Sequence, residues 1–416
     1  MCYFPTLDAM RSAAEKLKGV STVTPLVFNQ HASNEHRASV FLKREDLQPV
    51  RSYKIRGAFN KMKSLSTEEL GRGVVCASAG NHAQGVALSC KILNAQGTIF
   101  MPVTTPDQKV EQVRMFGGEN VKIMLYGDTF DDANERAIAF CTQMKASFIH
   151  PFDDEKVIEG QGTVGLEIYQ QLEERPDFVF VPVGGGGLAA GVGAALKELW
   201  PTTKVIGVEP KGAPSLTESL KNKKNSTLQR IEKFVDGAAV KRIGERNFEI
   251  CRNVLDDVLV VDEGKICETI LSLYSKDAIV TEPAGALTLA SLEQYSAEIC
   301  GKKVVCVLSG GNNDITRTEE IRERALLHQG RKHYFIVKFP QRAGALKEFI
   351  SGVLGPHDDI THFEYTKKNS KTRGAAVVGI EVSNQEDFSG LENRMKNLGF
   401  FEKYVNEDPY LMSFIV

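Results

Sequence analysis

The sequence predicts an α/β protein: parallel sheets covered by helices over most of the chain, followed by a smaller module of strands and helices. Two observations support this fold class. Apolar runs of strand length alternate with amphipathic runs of helix length over about 300 residues, the pattern of parallel sheets covered on both faces. Three strand-to-helix junctions carry glycine or small polar residues, as they do where open α/β sheets bind ligands.

The predicted elements follow one another closely, beginning with a helix and a turn within Phe4–Leu26. Strands are expected at Val40–Lys43, Gly73–Ala77, Thr98–Pro102, Val121–Leu125, Phe148–His150, Phe178–Val183, Val205–Val208, Val258–Val261 and Val304–Leu308. Helices are expected at His82–Leu93, Asp107–Phe116, Thr129–Met144, Lys156–Leu172, Leu188–Leu199, Gly264–Tyr274 and Ala284–Gln294. Because this length exceeds a comfortable single sheet, we expect two lobes with a cleft between them.

The stretch Asp177–Gly191 is the clearest of the strand–loop–helix units. The buried strand Phe178–Val183 is followed by four glycines, Gly184–Gly187, and then by a helix that begins at Leu188. Glycines let backbone N–H groups approach a ligand closely, and a helix N-terminus favours negative charge. No Lys-Ser/Thr pair follows, and the spacing fits G-x-G-x-x-G poorly. The stretch therefore predicts a site for a small phosphate held mostly by backbone.

Composition argues against several classes of function. The net charge is −2 with acids and bases mixed along the chain, so neither nucleic acid nor an anionic membrane surface is the expected partner. No apolar run approaches the ~20 residues that span a bilayer, and Met1–Val20 lacks the apolar core of a signal peptide. The eight cysteines form no C-x-x-C pair, which predicts free thiols in a cytoplasmic protein.

Two more junctions and one lysine are candidates for function. Ser78-Ala79-Gly80-Asn81-His82 follows a strand, and Asn81 could either cap the next helix or face a ligand. Ser309 stands where the strand Val304–Leu308 ends in a glycine turn. Lys54 lies between Tyr53 and Ile55, which favours a partly buried amine over a solvated one.

Four motifs in order now identify a family resemblance. They are Ser52-Tyr53-Lys54-x-Arg56-Gly57, Ser78-Ala79-Gly80-Asn81-His82, Gly184–Leu188 and Ser309-Gly310-Gly311-Asn312. In order and approximate spacing they resemble the motifs of the fold-type-II pyridoxal-phosphate enzymes, and most closely those of the threonine/serine dehydratases. The resemblance covers about residues 5–320, and it departs from the family at Tyr53, where Phe is usual.

The resemblance implies a cofactor, a reaction and a set of site residues. Pyridoxal 5'-phosphate would be bonded covalently to Lys54, which would also be the catalytic base. The cofactor phosphate would be held by Gly184, Gly185, Gly186, Gly187 and Leu188. Asn81 would bond the ring hydroxyl and Ser309 the pyridine nitrogen. The implied reaction converts L-threonine, or L-serine, to a 2-oxo acid and ammonia. Glu209 with Ala213 resembles part of a cation site in some relatives, but no metal is expected.

The C-terminal part has a different pattern. A charged helical connector, 318–333, leads to strands at Tyr334–Phe339, Thr361–Tyr365, Ala375–Val382 and Leu411–Val416, and to helices at Gly344–Val353 and Gln385–Leu398. The order β-α-β-β-α-β within 90 residues predicts a ferredoxin-like module. The expected domains are a catalytic domain at 1–320 with its smaller lobe at about 51–155, a connector at 321–333 and this module at 334–416.

The segment Phe339–Leu346 resembles the first turn of ACT-like regulatory domains, which bind small amino acids in oligomer interfaces. The resemblance therefore implies the biosynthetic type of threonine dehydratase, a homo-oligomer (tetramer or dimer) that carries out the first step of isoleucine biosynthesis with isoleucine as the effector. A module that only assembles subunits, without a ligand, remains the alternative.

Other functions on the same fold are considered as alternatives. They include a serine dehydratase, a serine racemase, a threonine synthase-like enzyme and a non-catalytic amino-acid sensor. Racemases that resemble this chain have a hydroxyl residue at the position of Ala79, and alanine cannot return a proton to the far face of the substrate. An intact Lys54 argues against a sensor. A nucleotide-dependent enzyme would need partner motifs that this sequence lacks.

Overall fold

The computed structural model describes residues 3–365 and 373–415. The chain divides into two compact units, Met1–Asp314 and Ile315–Val416, and each is described by itself. Within the described ranges, no helix is both long enough and apolar enough to cross a membrane.

The strands in chain order are between two and nine residues long. They are β1 (Leu26–Phe28), β2 (Ser39–Arg44), β3 (Val74–Ala77), β4 (Gly97–Met101), β5 (Val121–Leu125), β6 (Ser147–Phe148), β7 (Phe178–Pro182), β8 (Lys204–Pro210), β9 (Asp257–Val261), β10 (Lys303–Leu308), β11 (Lys332–Pro340), β12 (Asp359–Tyr365), β13 (Arg373–Glu381) and β14 (Phe401–Tyr404).

The helices separate these strands through most of the chain. They are α1 (Leu7–Leu17), α2 (Gln30–His36), α3 (Lys54–Lys63), α4 (Thr67–Gly71), α5 (Asn81–Leu93), α6 (Asp107–Gly117), α7 (Phe130–Met144), α8 (Glu155–Gln171), α9 (Gly187–Leu199), α10 (Ser215–Lys221), α11 (Glu245–Val254), α12 (Glu263–Asp277), α13 (Pro283–Ala290), α14 (Ser296–Ile299), α15 (Thr318–His328), α16 (Ala345–Val353), α17 (Asp387–Asn397) and α18 (Pro409–Met412).

The first unit contains two sheets. In the described residues the larger has six strands in the order β1-β2-β10-β7-β8-β9, and the smaller has the order β5-β4-β3-β6. Every pairing in them is parallel except that of β1 with β2. The predicted fold class, parallel sheets covered by helices, is confirmed. The carboxyl ends of β7 and β10, which are neighbours, bring the glycine loop and Ser309 to one edge of the larger sheet.

Small residues let the helices of the first unit pack closely. A Cβ on Gly191 of α9 would lie 2.6 Å from Ile158 O of α8, and a Cβ on Gly160 of α8 would lie 2.6 Å from Arg56 O of α3. Because α8 therefore touches both α3 and α9 through backbone, the helix that begins at Lys54 and the helix that follows the glycine loop have a fixed separation.

Over its described residues, the second unit contains a four-stranded antiparallel sheet with the spatial order β12-β13-β11-β14. Alternate β11 residues Phe335, Val337 and Phe339 point into one core, which they share with Phe349 of α16 and Leu391 of α17. This order of strands and helices is that of a ferredoxin-like module, as the sequence predicts.

One predicted strand of this unit is wrong. The last strand is Phe401–Tyr404, whereas the predicted strand Leu411–Val416 begins inside the short helix α18. The reason is local: Asp408 accepts hydrogen bonds from the N–H groups of Tyr410 and Leu411, and Pro409 occupies the first helical position. Val416 lies outside the described residues.

Candidate active site

Lys54 is the first residue of α3, and its amine lies in a partly closed environment. Its Nζ donates a hydrogen bond to Pro151 O at 2.9 Å and lies 5.3 Å from the centre of the Tyr53 ring. Burial lowers the pKa of Lys54 to about 8, although the carboxylate of Glu282 acts in the opposite direction. A neutral, nucleophilic amine is therefore accessible near neutral pH, which an exposed lysine does not offer.

A buried ion cluster holds α3 in place. Arg56 pairs with Glu45 at 2.7 Å and with Glu167 of α8 at 2.6 Å, and Lys43 of β2 pairs with Glu167 at 2.5 Å. The two cations balance the two carboxylates, so no unpaired charge is buried. Since Arg56 lies two residues after Lys54, this cluster fixes the start of α3 against the larger sheet and α8.

The glycine loop is packed too tightly for any side chain. A Cβ on Gly185 would overlap the ring of Phe152, one on Gly187 would lie 2.8 Å from Phe152 O, and Gly186 has φ +87°. A Cβ on Gly184 would lie 2.8 Å from Ala238 Cα. The loop ends at the N-terminus of α9, whose first N–H groups have no acceptor within the helix. The arrangement can bind a small anion through backbone.

Leu188 belongs to this anion site only through its backbone. Its side chain is 2% exposed and packs in the core of the larger lobe. A contact from Leu188 to a phosphate can therefore come only from its N–H group, at the first turn of α9.

The junction between β3 and α5 directs Asn81 away from a capping role. The N-cap of α5 is Gly80, and Asn81 is the first helical residue. The Asn81 Nδ2 donates to Glu282 Oε1 at 2.7 Å, and its Oδ1 accepts from Asn312 Nδ2 at 2.7 Å. Of the two interpretations that the sequence left open, the capping one is wrong, because the side chain contacts Glu282 and Asn312 instead; the contact with a ligand stays a prediction.

The neighbouring His82 has a structural position. Its Nε2 hydrogen-bonds Ile149 O at 2.8 Å, and the ring is 3% exposed. Burial, followed by the charge of Lys54, lowers the pKa of His82 to about 3. The ring is therefore neutral and donates to the Ile149 carbonyl, joining α5 to the segment after β6.

Ser309 follows β10 and lies beside the start of α3. It is 2% exposed, and its carbonyl accepts from Tyr53 N at 3.2 Å. The Ser309 hydroxyl is 3.4 Å from Ala284 O, which is long for an O–H···O bond, usually about 2.7–2.8 Å. The hydroxyl of Ser309 is therefore available to a stronger partner.

Glu282 is the functional candidate that the sequence analysis missed. This buried carboxyl precedes α13 and lies between Asn81 and Gly310. A Cβ on Gly310 would overlap the Glu282 carboxyl oxygen, so the glycine is needed there. Burial, with the charge of Asp236 next, raises the pKa of Glu282 to about 7. One signal was present in the sequence: a lone acid inside the apolar run Ala278–Leu287, directly before a proline.

Glu209, considered above for a cation, is occupied by protein groups. Its carboxyl accepts from Leu216 N at 2.7 Å, Thr217 N at 2.8 Å and Thr217 Oγ1 at 2.7 Å, at the start of α10. Residues 3–365 and 373–415 contain no cluster of three or more side chains suited to hold a metal ion.

The residues brought together suit pyridoxal phosphate. The site combines a half-buried amine of lowered pKa at Lys54, a loop that admits an anion only because it lacks Cβ atoms, and a hydroxyl at Ser309 whose one hydrogen bond is long. The hydroxyl of Ser52, fully buried beside Lys54, also has no hydrogen-bond partner in the described parts of the chain. Unsatisfied polar groups of this kind indicate a ligand site.

Comparison with known proteins also indicates a pyridoxal-phosphate enzyme, with relatives that match nearly the full length of the chain. The model of the family described as pyridoxal-phosphate dependent enzyme matches residues 18–310, and the C-terminal regulatory domain of threonine dehydratase matches residues 323–415. The biosynthetic L-threonine dehydratase IlvA of Halalkalibacterium halodurans is 56% identical over 404 residues, 97% of each chain. That of Bacillus subtilis is 55% identical over 404 residues, 97% of this chain and 96% of its own.

Solved structures extend the comparison. The processed form of threonine deaminase isoform 2 from Solanum lycopersicum has a TM-score of 0.71 at 39% identity, covering 77% of this chain and 95% of its own. Maize serine racemase has a TM-score of 0.72 at 31% identity, covering 78% of this chain and 99% of its own. From the matched family models, the near full-length relatives and the geometry of the site, this chain belongs to the pyridoxal-phosphate dependent enzymes and carries the C-terminal regulatory domain of threonine dehydratase.

Proposed function

We propose that this chain is a threonine ammonia-lyase that converts L-threonine to 2-oxobutanoate and ammonia, the first step of isoleucine biosynthesis. The observation that carries the proposal is a half-buried Lys54 amine, held by Pro151 O next to the Phe152 that packs on the glycine-only anion site, in a chain 56% identical to a biosynthetic threonine dehydratase. The reaction balances. The substrate loses a proton from Cα and hydroxide from Cβ, which together make one water, and a water then hydrolyses the resulting imine to the 2-oxo acid and ammonia.

The chain's own residues divide the work. When bound, pyridoxal phosphate supplies electron withdrawal from Cα of the attached amino acid. Lys54 would hold the cofactor and, once displaced by substrate, take the Cα proton on its Nζ. The N–H groups of Gly184–Leu188 would hold the phosphate, and Asn81 would donate to the ring hydroxyl.

Ser309 would set the direction of the reaction. A hydroxyl offers the ring nitrogen a hydrogen bond but no countercharge, so that nitrogen would stay uncharged. Electron withdrawal is then limited, which favours prompt loss of the β-hydroxyl over long-lived charge at Cα. Ala79, which carries no proton donor, supports elimination rather than racemisation as the outcome.

The regulatory domain supports feedback control. We propose isoleucine as the effector, bound near the Ala343–Leu346 turn and the neighbouring strand Asp359–Tyr365, where Gly344 has φ +84° and the apolar side chain of Leu346 is 44% exposed. The active form would be a cytoplasmic homo-oligomer, a tetramer or a dimer. L-Serine is the expected second substrate because it has the same β-hydroxyl.

The test is direct. Purified full-length protein should be yellow, release 2-oxobutanoate from L-threonine, and carry one borohydride-fixed cofactor on Lys54. The Lys54→Ala variant should lose turnover by at least ~10⁴-fold, whereas Lys63→Ala, an exposed lysine of the same helix, should keep it. A reduced adduct on another lysine, or full activity without Lys54, would refute the assignment.

A further inference from the structure

We propose that Asn312 is a positioning residue: it fixes the side-chain amide of Asn81 so that the nitrogen, and not the oxygen, faces Glu282 and the cofactor site. The inference deepens the proposed function, since it assumes that Asn81 contacts the cofactor. Asn312 contacts Asn81 and would act on the cofactor only through it.

The orientation of the Asn312 side-chain amide is set by a backbone carbonyl, which can accept a hydrogen bond but cannot donate one. Asn312 Nδ2 donates to the backbone carbonyl of Val50 at 2.8 Å. A carbonyl oxygen only accepts, so the amide end of Asn312 at this point must be the NH₂ group. The orientation of Asn312 therefore follows from the network itself and needs no other assumption.

The same nitrogen then orients its neighbours. One hydrogen of this NH₂ group goes to Val50 O, so the second is shared between Asn81 Oδ1 at 2.7 Å and Gln84 Oε1 at 2.9 Å. An NH₂ group of either neighbour turned toward Asn312 Nδ2 would place two donors in contact, so both amides present oxygen to it. Gln84 accordingly uses its Nε2 elsewhere, donating to Gln112 Oε1 at 2.9 Å. Asn81 uses its Nδ2 on the opposite side, donating to Glu282 Oε1 at 2.7 Å.

The arrangement leaves Asn81 one hydrogen for a ligand. Its NH₂ group has two hydrogens, and Glu282 accepts one of them. The second can be donated to a negatively charged ring oxygen. An Asn81 amide turned by 180° would present its own oxygen there, and two acceptors would repel each other.

Asn312 also joins segments that are far apart in the chain. It lies in the loop after β10, Val50 precedes α3 by a few residues, and Asn81 begins α5 of the smaller sheet's lobe. The Asn312 Oδ1 is buried and has no hydrogen-bond partner among the described residues. Because burying this unpaired oxygen is costly, we infer that the Asn312 side chain is needed for its NH₂ group.

The decisive variant is Asn312→Asp, which keeps the shape and replaces the donor by an acceptor. A carboxylate there can satisfy Asn81 only if the Asn81 amide turns, bringing its oxygen to the cofactor. We expect pyridoxal phosphate to bind at least tenfold more weakly, and the visible absorption band of the holoenzyme to change its position or its pH midpoint. Asn312→Ala, which removes the donor without imposing an acceptor, should give a smaller change of the same kind.

A double-mutant cycle separates positioning from general damage. If Asn312 acts through Asn81, then Asn312→Asp should change cofactor affinity less than twofold in an Asn81→Ala background. An equal loss in both backgrounds would overturn the proposal, and so would a wild-type spectrum and affinity in Asn312→Asp. Asn222→Asp, at an exposed asparagine, is the matched control and should bind cofactor as the wild type does.

The readouts do not depend on the identity of the substrate. Cofactor affinity and the visible spectrum are measured without threonine, so failure of the dehydratase assay would not affect this test. Circular dichroism of each apoprotein would verify folding. If Asn312→Asp does not fold, Asn312→Ala in the same cycle tests the proposal by the same criterion.

Discussion

At the scale of single residues, two acid–base groups of the site, the half-buried Lys54 and the buried Glu282, interact through their charges. Burial lowers the pKa of Lys54 to about 8 and raises that of Glu282 to about 7. Each group favours the charged form of the other, and desolvation opposes both charges. The result is a pair whose protonation is sensitive near neutral pH, as is expected for groups at an active site.

Glu282 should make the stability of the apoprotein depend on pH. Its folded pKa of about 7 lies above the ordinary 4.5, so the folded state keeps a proton that the unfolded state has released. The contribution of this proton to the free energy of unfolding is fully present below pH ~4.5 and is lost as the pH rises through ~7. The total loss is about 3 kcal/mol. Glu282→Gln should therefore lose less stability than the wild type between pH 5 and 8, measured as the urea midpoint.

Glu209 provides the comparison for this experiment. Burial also raises its pKa to about 7, but it lies outside the candidate site against α10. Glu209→Gln should flatten the same pH dependence while leaving the visible spectrum of the holoenzyme unchanged. Equal pH dependence in the wild type and in Glu282→Gln would contradict the buried-carboxyl account.

Ser309→Asp should change the balance between outcomes at Cα. A carboxylate beside the ring nitrogen would favour its protonation and strengthen electron withdrawal. We expect threonine turnover to fall at least tenfold and absorbance at long wavelength to appear in stopped-flow spectra. Ser309→Thr keeps the hydroxyl and is the control. Unchanged turnover without new absorbance would count against the role given to Ser309.

The sequence identifies some of these residues and not others, for a physical reason. Lys54, Asn81, the glycine loop and Ser309 lie in short motifs whose local chemistry is readable. Asn312 also lies in one of these motifs, Ser309-Gly310-Gly311-Asn312, but its role and that of Glu282 depend on contacts with residues more than 200 positions away, such as Asn81. Only the folded chain brings those groups together, and a carboxyl before a proline is locally consistent with an ordinary helix start.

At the scale of elements, the buried ion cluster is what holds α3. The side chains of Arg56, Glu45 and Lys43 are at most 1% exposed, and that of Glu167 is 9% exposed. Such a cluster gives little net stabilisation when complete, because desolvation offsets the attraction, but it is costly to break. The cluster fixes the position of the N-terminal turn of α3, which contains Lys54.

Arg56→Met should therefore be strongly destabilising. It leaves Glu45 and Glu167 with Lys43 as their cation in the cluster, and we expect a loss of about 3–5 kcal/mol in the free energy of unfolding. Arg11→Ala, which breaks an exposed ion pair with Asp8, should cost no more than about 0.5 kcal/mol. Urea unfolding of both variants measures the difference, and similar costs would mean that α3 does not depend on the cluster.

The glycine loop gives a second test at this scale. Gly185→Ala would drive a methyl group into the Phe152 ring, so the loop or the ring must move. We expect cofactor affinity to fall at least tenfold. Gly71→Ala, at a glycine with no atom within 4 Å of the added Cβ, should leave it unchanged. Wild-type affinity in Gly185→Ala would argue against a phosphate bound by this loop.

Predictions of elements succeeded where periodicity was strong. The buried strand Phe178–Val183 and the helix after the glycine loop agree with β7 and α9 to within one residue at each end. The predicted C-terminal strand was wrong because a short, mostly apolar run fits either a strand or a helix, and the capping carboxyl of Asp408 favours a helix. The first helix ends at Leu17, well before the turn that was expected to follow it.

At the scale of the whole molecule, two units carry different tasks. The first unit contains every candidate cofactor contact, whereas the second has the ferredoxin-like sheet and the match to a threonine dehydratase regulatory domain. Strand order could be inferred for the second unit from its βαββαβ pattern. For the first unit the sequence predicted parallel sheets but not the order β2-β10-β7-β8, because β2 and β10 are separated by more than 250 residues.

Separating the two units tests how they are coupled. Isoleucine inhibits only if it binds a less active arrangement of the subunits more tightly, and a coupling of ~1–3 kcal/mol would change apparent threonine affinity about 5- to 150-fold. A chain cut after Gly330 should still bind cofactor and act on threonine, but should not respond to isoleucine. Because α15 (Thr318–His328) belongs to the second unit, a shorter form that ends at Asp314 should accompany it.

The full-length enzyme is the reference for both truncated forms, with threonine saturation measured at zero and millimolar isoleucine. Hyperbolic kinetics untouched by isoleucine in the full-length enzyme would mean that the second unit only assembles subunits. Inhibition that persists in a truncated form would place the effector site in the first unit. Loss of inhibition with retained turnover is the outcome we expect, because the site residues from Lys54 to Ser309 all precede the cut.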